Sequence, residues 1–362
     1  MKKNNLLATM FLFVLLVFVS CNKSSEVATP QNSSEIEDER DKEKIIENKE
    51  ESEETSDEDD TNKIMSTLNG LKYYKEALDK RPIAVSIDNH PGARQQAGLS
   101  LAEIIYEFEV EYPYTRYLCI FQANEPEKIG PVRSARPYII YYALENDAIF
   151  VHVGGSPDAF SEVKKFKAEE IDGLYSGAMW RYYDRGKIAT HNMYTTIKEL
   201  REEAKKKGFR SKAELSGYSF YDKDTLLSSE KHLSSQAKNI KITYNKNNTT
   251  EYVYDDEKKL YLRYKDGEEH KDELTGEQLN VKNIIVIETG KKVLDDAGRL
   301  YLGTVGRGKG IYITNKEYVE ITWEKNSEKE RTKFYIGGNE LKLNKGNTWI
   351  QVVTGLSLVN IN

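Results

Sequence analysis

Five polar clusters close apolar runs in the first half of the chain, and their side chains are the ones equipped for acid–base or anion chemistry. Asp88-Asn89-His90 follows Pro82–Ile87, with Arg94 just beyond. Glu107, Glu109 and Glu111 precede Arg116. Arg133-Ser134-Ala135-Arg136 follows Gly130-Pro131-Val132. His152 leads into Gly154-Gly155-Ser156, and Arg181, Arg185, His191 and Asn192 form the last cluster. Strand ends ahead of helix starts are where α/β folds collect ligand sites.

Residues 107, 109 and 111 share one face of a strand, because side chains alternate across a sheet. Carboxylates so placed repel unless they meet cations, solvent or a shared proton, and a raised pKa would fit one of them for general acid work. Glu107 is the candidate acid/base, with Asp88 or Glu111 orienting it or stabilising positive charge. The bland alternative is pairing with Arg116, Arg133 or Arg136 to position loops. Ser134 and Ser156 are expected to cap helices. Their outward N–H groups, with Arg133 and Arg136, can hold an anion. Asn89, His90, Arg94, Arg116, Arg185, His191 and Asn192 complete the expected ligand-contacting set. His152 is a further catalytic candidate, but Gly-Gly-Ser-Pro lacks the elbow of a serine hydrolase. Asp88, His90, His152 and His191 show no tight metal-ligand spacing, so no metal and no cofactor are expected. Cys119 lies in an apolar run and reads as a buried, inert thiol.

The elements that position these residues alternate in type. Strands are expected at Pro82–Asp88, Ile104–Val110, Thr115–Gln122 and Ala148–His152. Helices are expected over Leu99–Glu103, Ser134–Glu145, Ser156–Phe166 and Thr195–Lys207, the last stopped by Gly208. From about Ile240, short Tyr-, Val- and Ile-rich runs are separated by Asp-Gly, Gly-Gly and Asn-Lys-Gly, the texture of a β-sandwich or barrel-like module. Gly306–Gly310 reads as a turn, Trp323 and Trp349 as sheet core, and His232 and His270 as incidental. The fold class is α+β: an N-terminal α/β-type domain with mixed sheet and helices over 65–214, a linker or early element over 215–239, and a mainly β domain over 240–362.

The N-terminal sequence bears on location. Lys2 and Lys3 precede an apolar run from Leu6 to Val19 and then Ser20-Cys21. This is a secretory signal with a core too short to span a bilayer, and Cys21 has the place of a lipidated cysteine. Residues 22–64 carry sixteen acidic and six basic side chains and no aromatic residue, so they read as a disordered tether. With a net charge of −6 for the whole chain, that tether leaves the remaining body near neutral, which argues against nucleic acid as a partner.

The stretches Arg81–Pro91, Ala102–Glu107, Ile129–Arg136, Val151–Ser156, Tyr261–Gly267, Asn283–Val286 and Gly346–Ile350 resemble the YerB-like lipoproteins of Gram-positive bacteria, a family of two successive domains of unknown function. The resemblance spans nearly all of residues 75–355. Where that family tends to read Val-Glu-Gly-Gly-Ile-Thr-Arg, this chain has Val110-Glu-Tyr-Pro-Tyr-Thr-Arg116, so the loop at Glu111 is expected to be stiffer. The resemblance implies a lipoprotein at the extracytoplasmic face of the cell membrane and supplies no reaction. Location and the acid–arginine clusters lead to the expectation of a peptidoglycan-cleaving enzyme, a glycosidase or lytic transglycosylase. The alternative is a lipoprotein that binds an anionic envelope ligand or scaffolds wall enzymes, with envelope proteins as partners.

Overall fold

The computed structural model describes residues 62–183, 186–230 and 232–362. The Cys21 and 22–61 readings lie outside these residues. The expected tether boundary shifts, because strand Lys63–Met65 already pairs with Lys72–Tyr74.

Strands Ile83–Asp88, Ile104–Glu109 and Thr115–Phe121 are buried along their whole length on both faces. So are Asn283–Ile287 and Thr348–Val353 from the second half. Strands apolar on both faces need a covering layer on each side. They join in one twelve-stranded sheet that runs through both halves of the chain. Thr348–Val353 sits at the junction, parallel to Ile104–Glu109 on one side and to Asn283–Glu288 on the other. The second half is therefore not a self-contained sandwich or barrel: its strands divide between this shared sheet and a smaller one. The class is α+β, with a mainly β C-terminal region.

Helices Pro137–Glu145 and Pro157–Phe166 cover one face of the large sheet, where Tyr138, Ile139 and Tyr142 meet Tyr106, Phe108 and Leu118. The other face is covered by helix Ile197–Lys206 and by a six-stranded sheet containing Asn239–Asn245, Asn248–Asp255, Leu260–Lys265 and Val359–Ile361. Ile240, Ile242, Tyr252 and Tyr261 of that sheet pack with Ile284, Val286, Trp349, Tyr117 and Cys119. Trp323 and Trp349 are both core residues, and burial pushes the Cys119 thiol well above its ordinary value.

Several local expectations change. The helix after Ser134 starts at Pro137 with Arg136 at its N-cap, and no side chain caps it. Ser156 does cap its helix, its hydroxyl accepting from Ala159 N–H at 3.2 Å. Leu99–Leu101 is a single 3₁₀ turn. Its approach is fixed from the second half: Asp272 accepts from Gly98 N–H at 3.0 Å and from Ser100 N–H and hydroxyl, both at 2.8 Å. Gly98 has φ +86°, and a Cβ there would lie 2.7 Å from the Lys128 carbonyl, so only glycine fits. Gly306–Gly310 is no turn but the start of strand Gly306–Thr314, with Gly308 and Gly310 passing close to neighbouring backbone.

Ile350 is fully buried in the junction strand, among residues of both halves. Ile350→Ala is expected to lower the unfolding free energy by about 2–5 kcal/mol. Urea unfolding followed by near- and far-UV circular dichroism should show one transition. A loss under 1 kcal/mol, or two separate transitions, would show that the shared sheet does not couple the halves.

Candidate functional site

Glu107 is fully buried on the sheet face that meets the six-stranded sheet. Two cations on alternate positions of strand Leu260–Lys265 reach it: Arg263 Nη2 at 2.6 Å and Lys265 Nζ at 3.3 Å. Thr115 Oγ1 donates to it at 2.7 Å and Asn89 Nδ2 at 3.3 Å. Burial, the largest single influence, would raise this carboxyl, but the Lys265 and Arg263 charges together with the hydrogen bonds from Thr115 and Lys265 hold it below the ordinary carboxylate range. Burial pushes Lys265 down to about 8 despite Glu107. The Arg263 guanidinium carbon lies 4.2 Å from the centre of the Trp349 ring and 5.3 Å from that of Tyr117. His270 Nδ1 accepts from Arg263, and His270 Nε2 lies 2.7 Å from Gln96 Oε1. Burial and the Arg263 charge keep that imidazole neutral.

This arrangement corrects the expected role of Glu107. A carboxylate with no exposure, two cations and hydroxyl and amide donors is a fixed anion inside the protein, not a proton donor to a ligand. Glu109 pairs with Lys291 at 2.8 Å, and Glu111 with Arg136 at 2.6 Å. Each carboxylate of the row has its own cation, so none needs a shared proton.

Other expected site residues are buried too, or, in the case of Arg94, partly buried. His152 has no exposure; Nδ1 meets the Gly154 carbonyl at 2.8 Å and Nε2 meets Glu170 at 2.5 Å, so it braces the Gly154 turn and has no free edge for catalysis. Asn89 is enclosed between Glu107, Thr115 and Arg94. Arg116 donates to the Ser134 carbonyl at 2.7 Å, and burial together with Arg136 lowers it to about 10. Asn192 is buried and accepts from Arg181 at 3.0 Å. Arg94 pairs with Asp266 at 2.6 Å. These five residues hold the site's frame and do not line it. Arg185 falls outside the described residues.

The remaining candidates gather beside the end of strand Ile83–Asp88. Asp88 Oδ2 lies 2.7 Å from His191 Nδ1 and 3.3 Å from Arg133 Nε, while Asp88 Oδ1 accepts from His90 N–H at 3.0 Å. Burial would raise Asp88. The His191 hydrogen bond, Arg116, the His90 N–H and Arg133 together bring it below its ordinary value. The His90 and His191 rings stack at 4.2 Å and 9°. Burial and the neighbouring His191 lower His90. The Arg133 side chain remains one-third exposed, and among the described residues its terminal nitrogens have no partner. Beyond the same 133–136 segment opens a cleft of about 460 Å³, lined by Glu111, Ser134, Arg136, Gly155, Ser156 and Pro157 and by Ala297 and Arg299 of the second half.

Two domain families match, both described as a protein of unknown function (DUF3048): the N-terminal domain over residues 68–210 and the C-terminal domain over 240–350. A protein of Bacillus subtilis (strain 168) named putative lipoprotein YerB is 34% identical over 308 residues, covering 84% of this chain and 90% of that protein. The chain belongs to the DUF3048 family. The crystal structure of YerB from Bacillus subtilis has a TM-score of 0.74 to this one at 32% identity, covering 83% of this chain and 99% of that one. In DUF3048 terms, the Glu107 cluster and the cleft each combine the N-terminal and C-terminal domains.

Sequence reasoning missed Arg263, Lys265 and Arg299, and read as incidental His270, which is buried between Arg263 and Gln96. The first two carried a signal, two cations at i and i+2 in a Tyr-rich strand, and such a pair buried on one face requires an anion opposite. Arg299 carried none. It sits in the turn after Asp295-Asp-Ala-Gly298, and only the fold brings it to Arg136.

Glu107 and Asp88 both titrate lower in the folded chain than unfolded, so the unfolded state binds more protons as pH falls. Their contribution to stability is full above about pH 5 and is lost as pH drops through the folded values. Urea unfolding between pH 3 and 7 should show this fall, with a shallower slope in Glu107→Gln. An unchanged slope would mean that Glu107 does not titrate as the paired anion described.

Proposed function

We propose that the protein is a lipid-anchored envelope lipoprotein that binds an anionic group of a wall polymer at Arg133, His90 and His191, with the rest of the ligand in the adjoining cleft. One observation carries this reading: the single carboxylate of Asp88 faces two guanidiniums and the His90–His191 pair, and the Arg133 terminal nitrogens are open among the described residues. A carboxylate or phosphate matches that fork, and each such charge-assisted bond contributes about 1.5–3 kcal/mol. The lipid on Cys21 and the extracytoplasmic address belong to the same proposal. Their support is the signal-like N-terminus and the lipoprotein name of the Bacillus subtilis relative.

The Asp88–His191 pair favours a second reading. A carboxylate 2.7 Å from Nδ1 orients an imidazole so that Nε2 can act as a base, which would make the site a wall-glycan hydrolase without any role for Glu107.

Co-sedimentation with purified cell walls, intact or stripped of anionic polymer, separates these readings. Binding should weaken about tenfold or more in Arg133→Ala and on stripped walls, with no dye released from labelled peptidoglycan. Binding indifferent to Arg133 in a folded variant contradicts the binding reading. Dye release that disappears in His191→Gln would establish the hydrolase.

A further inference from the structure

The six-stranded sheet stops short of the sheet it covers. Among the described residues its last strand, Val359–Ile361, pairs only with Asn239–Asn245. Asn362 exchanges both backbone hydrogen bonds with Asn239, at 2.9 and 2.8 Å. Peptide groups alternate in direction along an antiparallel strand, so the N–H and C=O of Ile361 point the other way, toward open space. That space is a groove of about 750 Å³. Its rim is Leu356, Val359 and Ile361, and its floor is the large sheet continuing beneath, with Lys309 and Ile311 on one strand, Tyr318, Glu320 and Thr322 on the next, and Tyr335 on a third.

We infer that this groove seats an extended polypeptide segment of a partner protein, which adds one strand beside Val359–Ile361. The floor runs on over three strands of the large sheet, so a strand laid at the usual spacing of about 4.8 Å beside Val359–Ile361 would still lie over it. The open backbone groups of Ile361 specify another backbone as their partner. A second copy of this chain does not fit. Docked edge to edge, it would carry its own large sheet into the layer already occupied by strands Gly306–Thr314 and Glu317–Lys325, so only a slender segment can enter. The floor sets the occupant's chemistry. Ile311, Tyr318 and Tyr335 take apolar side chains, while Lys309 and Glu320 take an acid and a base. The occupant alternates apolar and charged residues. This surface is independent of the Arg133 site.

The test is selection from a displayed library of random peptides of about nine residues on the chain from residue 22 onward, free of the apolar Leu6–Val19 run and of the Cys21 thiol, with counter-selection on Thr322→Trp, which fills the groove. Enriched peptides should show the alternating pattern and bind about tenfold or more weaker to Thr322→Trp. Ile361→Pro, which removes the outward N–H, should cause a similar loss. N-methylation of alternate amides in a selected synthetic peptide should abolish binding. The peptide arm and Thr322→Trp decide the matter even if Ile361→Pro fails to fold. Enrichment of no sequence over the filled variant, or peptides that tolerate N-methylation at every position, would overturn the inference.

Discussion

A carboxylate buried between two sheets has to be neutralised from the opposite sheet, and Glu107 imposes that condition on this fold. Its charge sits in the strand that adjoins the junction of the two halves, with no solvent to screen it. Arg263 and Lys265 answer from the second sheet. A mismatch there leaves an uncompensated buried charge, which costs about 3–5 kcal/mol, a large share of a domain's stability. The cluster therefore fixes how the sheets face each other as well as whether they associate. Glu145 repeats the device on the helical face, where Lys325 lies 2.7 Å away, whereas Asp272 joins the halves at the Gly98 turn through neutral N–H and hydroxyl donors.

This constraint shapes the site. Asn89 donates to Glu107, while its neighbours Asp88 and His90 turn toward Arg133 and His191. The reactive groups thus hang from the same strand end that the ion cluster anchors. The pieces have distinct work: Glu107, Asn89 and Arg116 hold the frame, His152 braces the Gly154 turn, and the partly exposed Arg133 and His90 stand over the buried His191. The Arg299 turn of the second half reaches the cleft only because both halves share one sheet.

Much of the frame was legible in the sequence. The strands at Ile83, Ile104, Thr115 and Ile149 and the Ser156 cap follow from apolar runs and cap chemistry, which are local signals. Asp88, Arg133 and His191 were each singled out by residue type, but in three separate clusters, and only the fold brings them together. The chemistry of Glu107 was not. Alternation placed it on a face with Glu109, but its cations lie more than 150 residues away in sequence. The joining of the halves was hidden for the same reason. A parallel pairing such as Ile104 with Thr348 leaves no local trace beyond a strand apolar on both faces. Glycines 306–310 misled because two of them serve close strand contact instead of a turn.

The most direct measurement is a double-mutant cycle on Glu107→Gln and Arg263→Met, read by urea unfolding at pH 7. If the buried pair clamps the sheets, each single change is strongly destabilising. The double variant then recovers much of the loss, giving a coupling of about 1–3 kcal/mol. Additive effects within about 0.5 kcal/mol would show that the two side chains act independently, contradicting the claim that neutralising Glu107 organises the structure.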